Sequence, residues 1–170
     1  MKYLALLLIT MISVASSCQK EEPKTPSWHA DVFRCKVNGV EWTSKCVSDP
    51  LFGCNAIDCQ YYWKDTKTIS LRATRRLANN SIYQGLRLYR YKSKIGDNHL
   101  QLTTEEYLDW NKPSACIGHD MDTTSVRRLT ILEVDTVNFL IKGTFEFTAI
   151  NNCQDTMRIT DGFFHVNFRF

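Results

Sequence analysis

The sequence predicts an all-β domain, an antiparallel β-sandwich or flattened barrel of about eight to ten strands, with no substantial helix outside an N-terminal signal peptide. Three observations lead to this fold class. Apolar and polar residues alternate almost everywhere from residue 31 onward, which is typical of strands with one buried face. Asn38-Gly39 and Asp161-Gly162 interrupt the alternation with pairs that suit tight hairpin turns. No segment has the apolar period of an amphipathic helix.

The first hairpin is predicted from one turn. Asn38 and Gly39 both tolerate the positive φ of a type I′ turn, so a two-residue loop there places Val37 opposite Val40. Two positions farther from the turn, Cys35 then faces Trp42, which we expect in the core. The predicted inward set comprises Phe33, Cys35, Val37, Val40, Trp42, Ser44 and Cys46.

Later strands are predicted from the same alternation, over residues 69–73, 82–89, 129–134, 139–148 and 157–170. A second two-residue loop at Asp161-Gly162 places Ile159 opposite Phe164. Two stretches break the rhythm, residues 48–59 and 111–124. We predict long loops there, and we expect any functional site to lie on them.

The first eighteen residues predict export and a lipid anchor. Lys2, an apolar stretch from Tyr3 to Ile12 and the small residues 15–17 follow the order of a secretory signal. Small residues leading directly into Cys18 resemble a lipobox, where acyl chains such as palmitate come to be attached to the cysteine. The predicted segments are a removed signal peptide (1–17), the acylated Cys18 with a flexible tether (18–30) and a single β-sandwich-like domain (31–170). No segment is long and apolar enough to cross a bilayer.

The residues after Cys18 predict a location. Gln19-Lys20-Glu21-Glu22 resembles the short acidic export signal of surface lipoproteins in Bacteroidota. We therefore expect an outer-membrane lipoprotein exposed on the cell surface. The alternative is an ordinary solvated linker on a lipoprotein that faces the periplasm.

The remaining cysteines predict disulfides. The chain has seven cysteines, and setting Cys18 aside leaves six, an even number in an exported chain. The hairpin register puts Cys35 too far from Cys46 for a bond, so Cys35 needs a more distant partner. A zinc site is the alternative, but no C-x-x-C pair occurs. The disulfide candidates are Cys35, Cys46, Cys54, Cys59, Cys116 and Cys153.

Composition and motifs argue against several functions. The formal net charge of +3 becomes +2 when Lys2 leaves with the signal peptide, and the arginine clusters are short, so we expect no nucleic-acid partner. No nucleophile elbow, zincin motif or P-loop is present, and we expect no cofactor and no metal. Two weaker alternatives remain. The carboxylates Glu105, Glu106, Asp109, Asp120 and Asp122 could form an acid/base pair, and His119 with Asp120 and Asp122 could hold a cation.

Two groups of residues are candidates for contact or modification. Trp63 and Trp110 lie near the irregular segments, where an aromatic ring can stack on a sugar, although packing under the loops is the alternative. The Asp-Thr-x tripeptides at Thr123, Thr136 and Thr156 resemble an O-glycosylation motif of exported bacterial proteins. Asp-Thr also suits turns without any modification.

Three segments together resemble a known family. The segments FRCKVNGVEWTS, LTILEVDTVNFLIKGTFEFTA and RITDGFFHVNF look like an uncharacterised family of Bacteroidota lipoproteins, known only as a domain of unknown function. The likeness covers most of residues 31–47 and 126–170. It implies an all-β domain behind a lipid anchor, with no established activity. The six mature cysteines depart from the usual pattern of that family.

These observations predict a cell-envelope lipoprotein, not an enzyme, that acts as a surface binding module for a glycan or an envelope protein. A structural envelope component is the first alternative, and a small hydrolase the second. An open aromatic patch favours binding, a flat apolar sheet face favours a structural role, and a cleft with converging carboxylates favours hydrolysis.

Overall fold

The structure is a computed structural model that describes residues 30–47, 54–62, 64–77, 82–101 and 106–169. The predicted signal peptide (1–17), Cys18, the predicted tether up to residue 29, and Trp63 lie outside these residues. Within them the chain forms twelve strands and a single 3-10 turn at Ser114–Cys116, so the all-β prediction is confirmed with more strands than expected. No helix in the described ranges has the length and apolar character needed to cross a membrane.

The strands form one nearly closed sheet. They are β1 (Val32–Val37), β2 (Val40–Thr43), β3 (Lys45–Cys46), β4 (Ile57–Tyr62), β5 (Thr68–Arg76), β6 (Tyr83–Arg90), β7 (Gly96–His99), β8 (Tyr107–Asp109), β9 (Gly118–Met121), β10 (Arg127–Asp135), β11 (Leu140–Asn151) and β12 (Thr156–Asn167). Along the sheet their order is β2-β1-β12-β11-β9-β8-β6-β5-β3, with β10 beside β11, β7 beside β10 and β4 beside β5. Neighbours are antiparallel except β3 and β5, and Gln60 of β4 makes a further bridge to Arg169.

The strand register defines two ends of the barrel. The first is here called the entry end and is the end at which β12 stops. There the Asp31 carboxylate accepts a hydrogen bond from the Asn167 backbone amide at 2.7 Å. The turns 64–67, 91–95 and 136–139 lie at the same end. Two of these turns are joined, because the Ser93 amide donates to the Lys67 carbonyl at 2.9 Å.

The opposite end, here called the disulfide end, contains both disulfides. Cys46 is bonded to Cys54, with 5.8 Å between their Cα atoms, and Cys116 to Cys153, with 5.5 Å. The second bond ties the β8–β9 loop to the β11–β12 turn. Each of the two segments predicted as loops contains one cysteine of a disulfide, but the prediction of loops over their full lengths is wrong, because β4 begins at Ile57 and β9 (Gly118–Met121) lies within 111–124.

The prediction that all six mature cysteines form disulfides is wrong for two of them. Cys35 and Cys59 are unbonded and buried. Each occupies an inward position, Cys35 opposite Trp42 and Cys59 opposite Leu71, so both side chains pack as small apolar groups. Burial, with a smaller effect from Glu41, raises the pKa of Cys35 to about 12. Burial likewise raises the pKa of Cys59.

The first hairpin has the predicted register. Asn38 (φ 50°) and Gly39 (φ 81°) form the turn, Val37 pairs with Val40 and Cys35 pairs with Trp42. Trp42 is buried as expected. Val40 is not, since 67 % of its surface is exposed beside the turn.

The predicted hairpin at Asp161-Gly162 is wrong. β12 continues through Asp161, which has φ 52° and inserts one extra residue opposite Glu146 of β11. This β-bulge shifts the alternation by one position, so Ile159 before it and Phe164 after it both face the core. Asp-Gly suits a bulge as well as a turn. Here β12 is held between β1 and β11, so it cannot fold back on itself.

Aromatic rings fill the core next to β11 and β12. Phe33, Trp42, Phe145, Phe147 and Phe164 are all buried. The inward alternation predicted for β11 is confirmed, from Ile141 to Ala149. Four of the outward residues of the same strand are polar, and three of them, Thr144, Glu146 and Thr148, line the surface described next.

Candidate ligand-binding surfaces

A shallow trough follows the outer face of β11. It consists of two concavities of about 370 and 380 Å³ that share Glu146. The outward side chains Thr144, Glu146 and Thr148 form its floor, a distance of roughly 13 Å along the strand. The walls come from β10 and β12. We call this surface the β11 trough, and its other polar or aromatic lining residues include Asp97, Thr124, Ser125, Arg128, Thr130, Arg158, Thr160, Asp161 and Phe163.

The bulge in β12 shapes this trough. A bulge bends its strand and increases the local twist, which re-aims neighbouring side chains. Asp161 and Gly162 at the bulge both line the trough. Lys36 of β1 fixes the bulge from the other side, because its Nζ lies 2.9 Å from the Asp161 carboxylate. The Asp161-Gly162 pair, which the sequence predicts as a turn, is thus part of the lining of the trough.

Four of the five charged side chains that line the trough have partners within the protein. Arg128 contacts Glu146 at 3.0 Å, and the Thr130 hydroxyl donates to Asp97 at 2.6 Å. An exposed ion pair contributes only about 0–1 kcal/mol, so a ligand hydroxyl can replace one of these partners at little cost. Phe163 adds an apolar ring, with the Arg34 guanidinium 5.4 Å from its centroid. The lining offers hydrogen-bond donors, acceptors and an aromatic edge, with three carboxylates and two guanidinium groups among its side chains.

Trp110 is only partly available for a ligand. Its ring stacks on Tyr83, with 4.1 Å between centroids and 17° between planes, and 38 % of the residue is exposed. The ring also covers Gly85, where an added Cβ would lie 3.2 Å from it. Trp110 lies near the disulfide end, whereas Tyr62, the described residue before Trp63, lies at the entry end. Trp63 itself lies outside the described residues, so its predicted contact with a ligand stays a prediction.

The carboxylates proposed for acid/base chemistry have structural partners instead. Glu106 is buried, and its Oε2 accepts a hydrogen bond from the Met121 backbone amide at 3.0 Å. Asp109 is buried too, and accepts from Gln84 Nε2 at 3.4 Å. Asp122 holds the turn that follows β9 through its side-chain hydrogen bonds. These groups do not converge on one cleft, and Glu105 lies outside the described residues.

His119 is buried rather than placed for a cation. Its ring packs edge-on against Tyr107 at 5.2 Å, while Asp120 points to the exposed side of the strand. Its Nε2 has no hydrogen-bond partner among the described atoms. Burial, opposed by a hydrogen bond to the Ile117 carbonyl, lowers the pKa of His119. Within the described ranges no group of side chains could hold a metal ion.

The three threonines of the Asp-Thr-x tripeptides are all exposed. Thr123 and Thr136 lie in turns, and Thr156 begins β12. The turn interpretation has structural support at two of them, because the Asp122 carboxylate accepts a hydrogen bond from the Thr124 amide at 2.9 Å and the Asp135 carboxylate accepts one from the Val137 amide at 2.9 Å. Exposure leaves each hydroxyl accessible to a modifying enzyme, and the modification itself stays a prediction.

Sequence reasoning missed the β11 trough. The floor residues Thr144, Glu146 and Thr148 are the polar residues of the alternating pattern that predicts β11. The residues that form the walls are distant in sequence from this floor. The Asp161-Gly162 pair predicts a turn at the position where β12 has its bulge. Comparison of the chain with protein-family models, with curated proteins and with solved structures finds no match.

Proposed function

We propose that the protein is a cell-envelope lipoprotein, anchored in the outer membrane through Cys18 and exposed on the cell surface, whose barrel is a non-enzymatic module that binds a glycan. The observation that carries the binding function is the β11 trough. Its hydroxyl, carboxylate and guanidinium groups match the hydroxyls of a sugar chain, and its length suits an extended ligand better than a compact one.

The chemistry of the lining favours a glycan over a protein partner. Stable protein interfaces have an apolar, aromatic-rich centre, whereas eleven of the seventeen residues that line the trough are polar or charged and five are apolar. Each trough carboxylate described above has a cation or hydroxyl partner, which supports a binding role rather than hydrolysis. An envelope protein as partner, or a purely structural role, is the alternative.

The proposed anchor and modification rest on the sequence. Small residues leading into Cys18, the acidic segment after it and the resemblance to Bacteroidota lipoproteins support the anchor and the location. The exposure of Thr123, Thr136 and Thr156 is compatible with O-glycosylation.

A glycan array probed with the detergent-solubilised full chain tests the binding function. We expect binding to at least one family of neutral glycans. Arg128→Ala or Glu146→Ala should weaken it about tenfold, the effect of losing one charge-assisted hydrogen bond. Glu133→Ala is the matched control, since Glu133 is exposed on β10 outside the trough lining. An array without signal from a folded protein would favour the structural alternative.

A further inference from the structure

The entry end of the barrel has an apolar surface that the proposed glycan site does not use. Eleven large apolar side chains in the described part of the chain are exposed, and five of them lie on or beside the turns at this end. Ile95 is 67 % exposed and Val137 73 %. The five are Tyr62, Tyr91, Ile95, Val137 and Phe139.

Basic residues surround these apolar side chains. The joined turns 64–67 and 91–95 contain Lys64, Lys67, Lys92 and Lys94 against a single acidic residue, Asp65. The remaining acids at this end have partners within the protein. Asp31 accepts hydrogen bonds from Asn167, and Asp135 holds its own turn. Tyrosine, aliphatic side chains and lysine together are the composition of a surface that lies at a membrane interface.

The covalent chain restricts which end can approach the membrane. Twelve peptide steps separate Cys18 from Ala30, a span of at most about 43 Å when fully extended. The first described residues, Ala30 and Asp31, lie at the entry end. β11 alone measures roughly 37 Å between the two ends. Placing the disulfide end on the membrane would therefore demand almost the entire reach of the tether.

We infer that the entry end docks on the surface of the lipid bilayer that holds the acyl chains of Cys18. This inference rests on the proposed anchor. The exposed apolar side chains enter the interface, and the four lysines contact anionic headgroups. The β11 trough then lies on the flank of the barrel, and the disulfide end faces away from the membrane.

The test uses the full chain, purified from membranes and reconstituted in vesicles of phosphatidylethanolamine with phosphatidylglycerol. Intact mass reports the acylation of Cys18. Amide hydrogen exchange of residues 64–67 reports docking, with residues 152–155 in the β11–β12 turn at the opposite end as internal reference. The main variant is Ile95→Ser with Val137→Ser. Its matched control, Val40→Ser with Val126→Ser, changes side chains that are 67 % and 58 % exposed away from the entry end.

For the acylated protein we expect slow exchange at residues 64–67. It should become about tenfold faster in the Ile95/Val137 variant and stay unchanged in the control. Lys92→Gln and Lys94→Gln should each make the exchange of residues 64–67 about fivefold faster. Both lysines are exposed, so neither substitution threatens folding. Acylated protein with equal exchange in every variant would overturn the docking and leave the anchor intact. A mass without acyl chains would overturn the anchor, and the docking with it.

Discussion

Gly143→Ala is the substitution whose effect follows most directly from the packing. Gly143 lies in β11 opposite Phe164 of β12. A Cβ at this position would lie 2.5 Å from Phe164 Cζ and 2.5 Å from the Thr130 carbonyl oxygen. Real Cβ atoms essentially never come within 3.0 Å of such neighbours, so both must move. The aromatic ring covers the glycine, a device known from other sheets.

The magnitude follows from what must move. Phe164 is fully buried, and displacing its ring from a preferred rotamer costs about 0.5–1.5 kcal/mol. Overpacking a filled core costs about 1–3 kcal/mol more, while the reduced entropy of the unfolded chain returns about 0.4–1 kcal/mol. We expect a net loss of about 2 kcal/mol, and a Tm lowered by roughly 4–8 °C for a domain of this size.

Thermal and urea unfolding, followed by circular dichroism, measure this effect. Gly85→Ala is the steric control, because its Cβ would meet only the edge of the half-exposed Trp110 ring, at 3.2 Å. We expect it to cost less than about 1 kcal/mol. Gly96→Ala controls for backbone conformation, since its φ is +92° and the space around it is open. If Gly143→Ala were as stable as Gly85→Ala, the assigned packing of β11 on β12 would be incorrect.

Three further predictions concern thiols, pH and modification. Alkylation of the folded, non-reduced chain should leave Cys35 and Cys59 unmodified, because burial raises the pKa of both thiols. In denaturant, alkylation should modify both cysteines. Protection of both in denaturant would instead indicate a third disulfide. Because burial lowers the pKa of His119, the unfolded state binds the proton more readily; the free energy of unfolding should fall as pH drops below about 6.5. His119→Phe should reduce that pH dependence in urea unfolding, and an identical slope would contradict this explanation. Protein from a host that glycosylates Asp-Thr-x sites should lose one glycan mass in Thr136→Ala, and an unmodified wild-type mass would refute the proposed sites.

Local chemistry made the first hairpin predictable from sequence. Asn38-Gly39 sets both the turn and the register, so Cys35 and Trp42 pair as expected. Asp161-Gly162 carries a similar local signal and has a different structure. The difference arises from β1 and β11, which hold β12 on both sides and come from distant parts of the chain. A sequence shows which conformations a dipeptide tolerates, and the neighbouring strands select among them.

The cysteines and the trough illustrate the same limit. An even count of cysteines indicated disulfides, but it could not show that Cys35 and Cys59 occupy inward strand positions where they pack as apolar side chains. Alternation in β11 identified Thr144 and Glu146 as outward residues. It could not show that Arg128 and Asp161 flank them, because that arrangement depends on strand order and on the bulge.

The proposed glycan site is tested most directly by titrating the array-selected glycan into three proteins: the wild type, Thr144→Trp and Trp110→Ala. Thr144 lies on the floor of the trough, and an outward tryptophan is well tolerated on a strand while filling the space above it. We predict that Thr144→Trp abolishes binding and that Trp110→Ala retains the affinity of the wild type. Unchanged affinity in Thr144→Trp, with loss in Trp110→Ala, would contradict the assignment and place the ligand at the Tyr83–Trp110 stack instead.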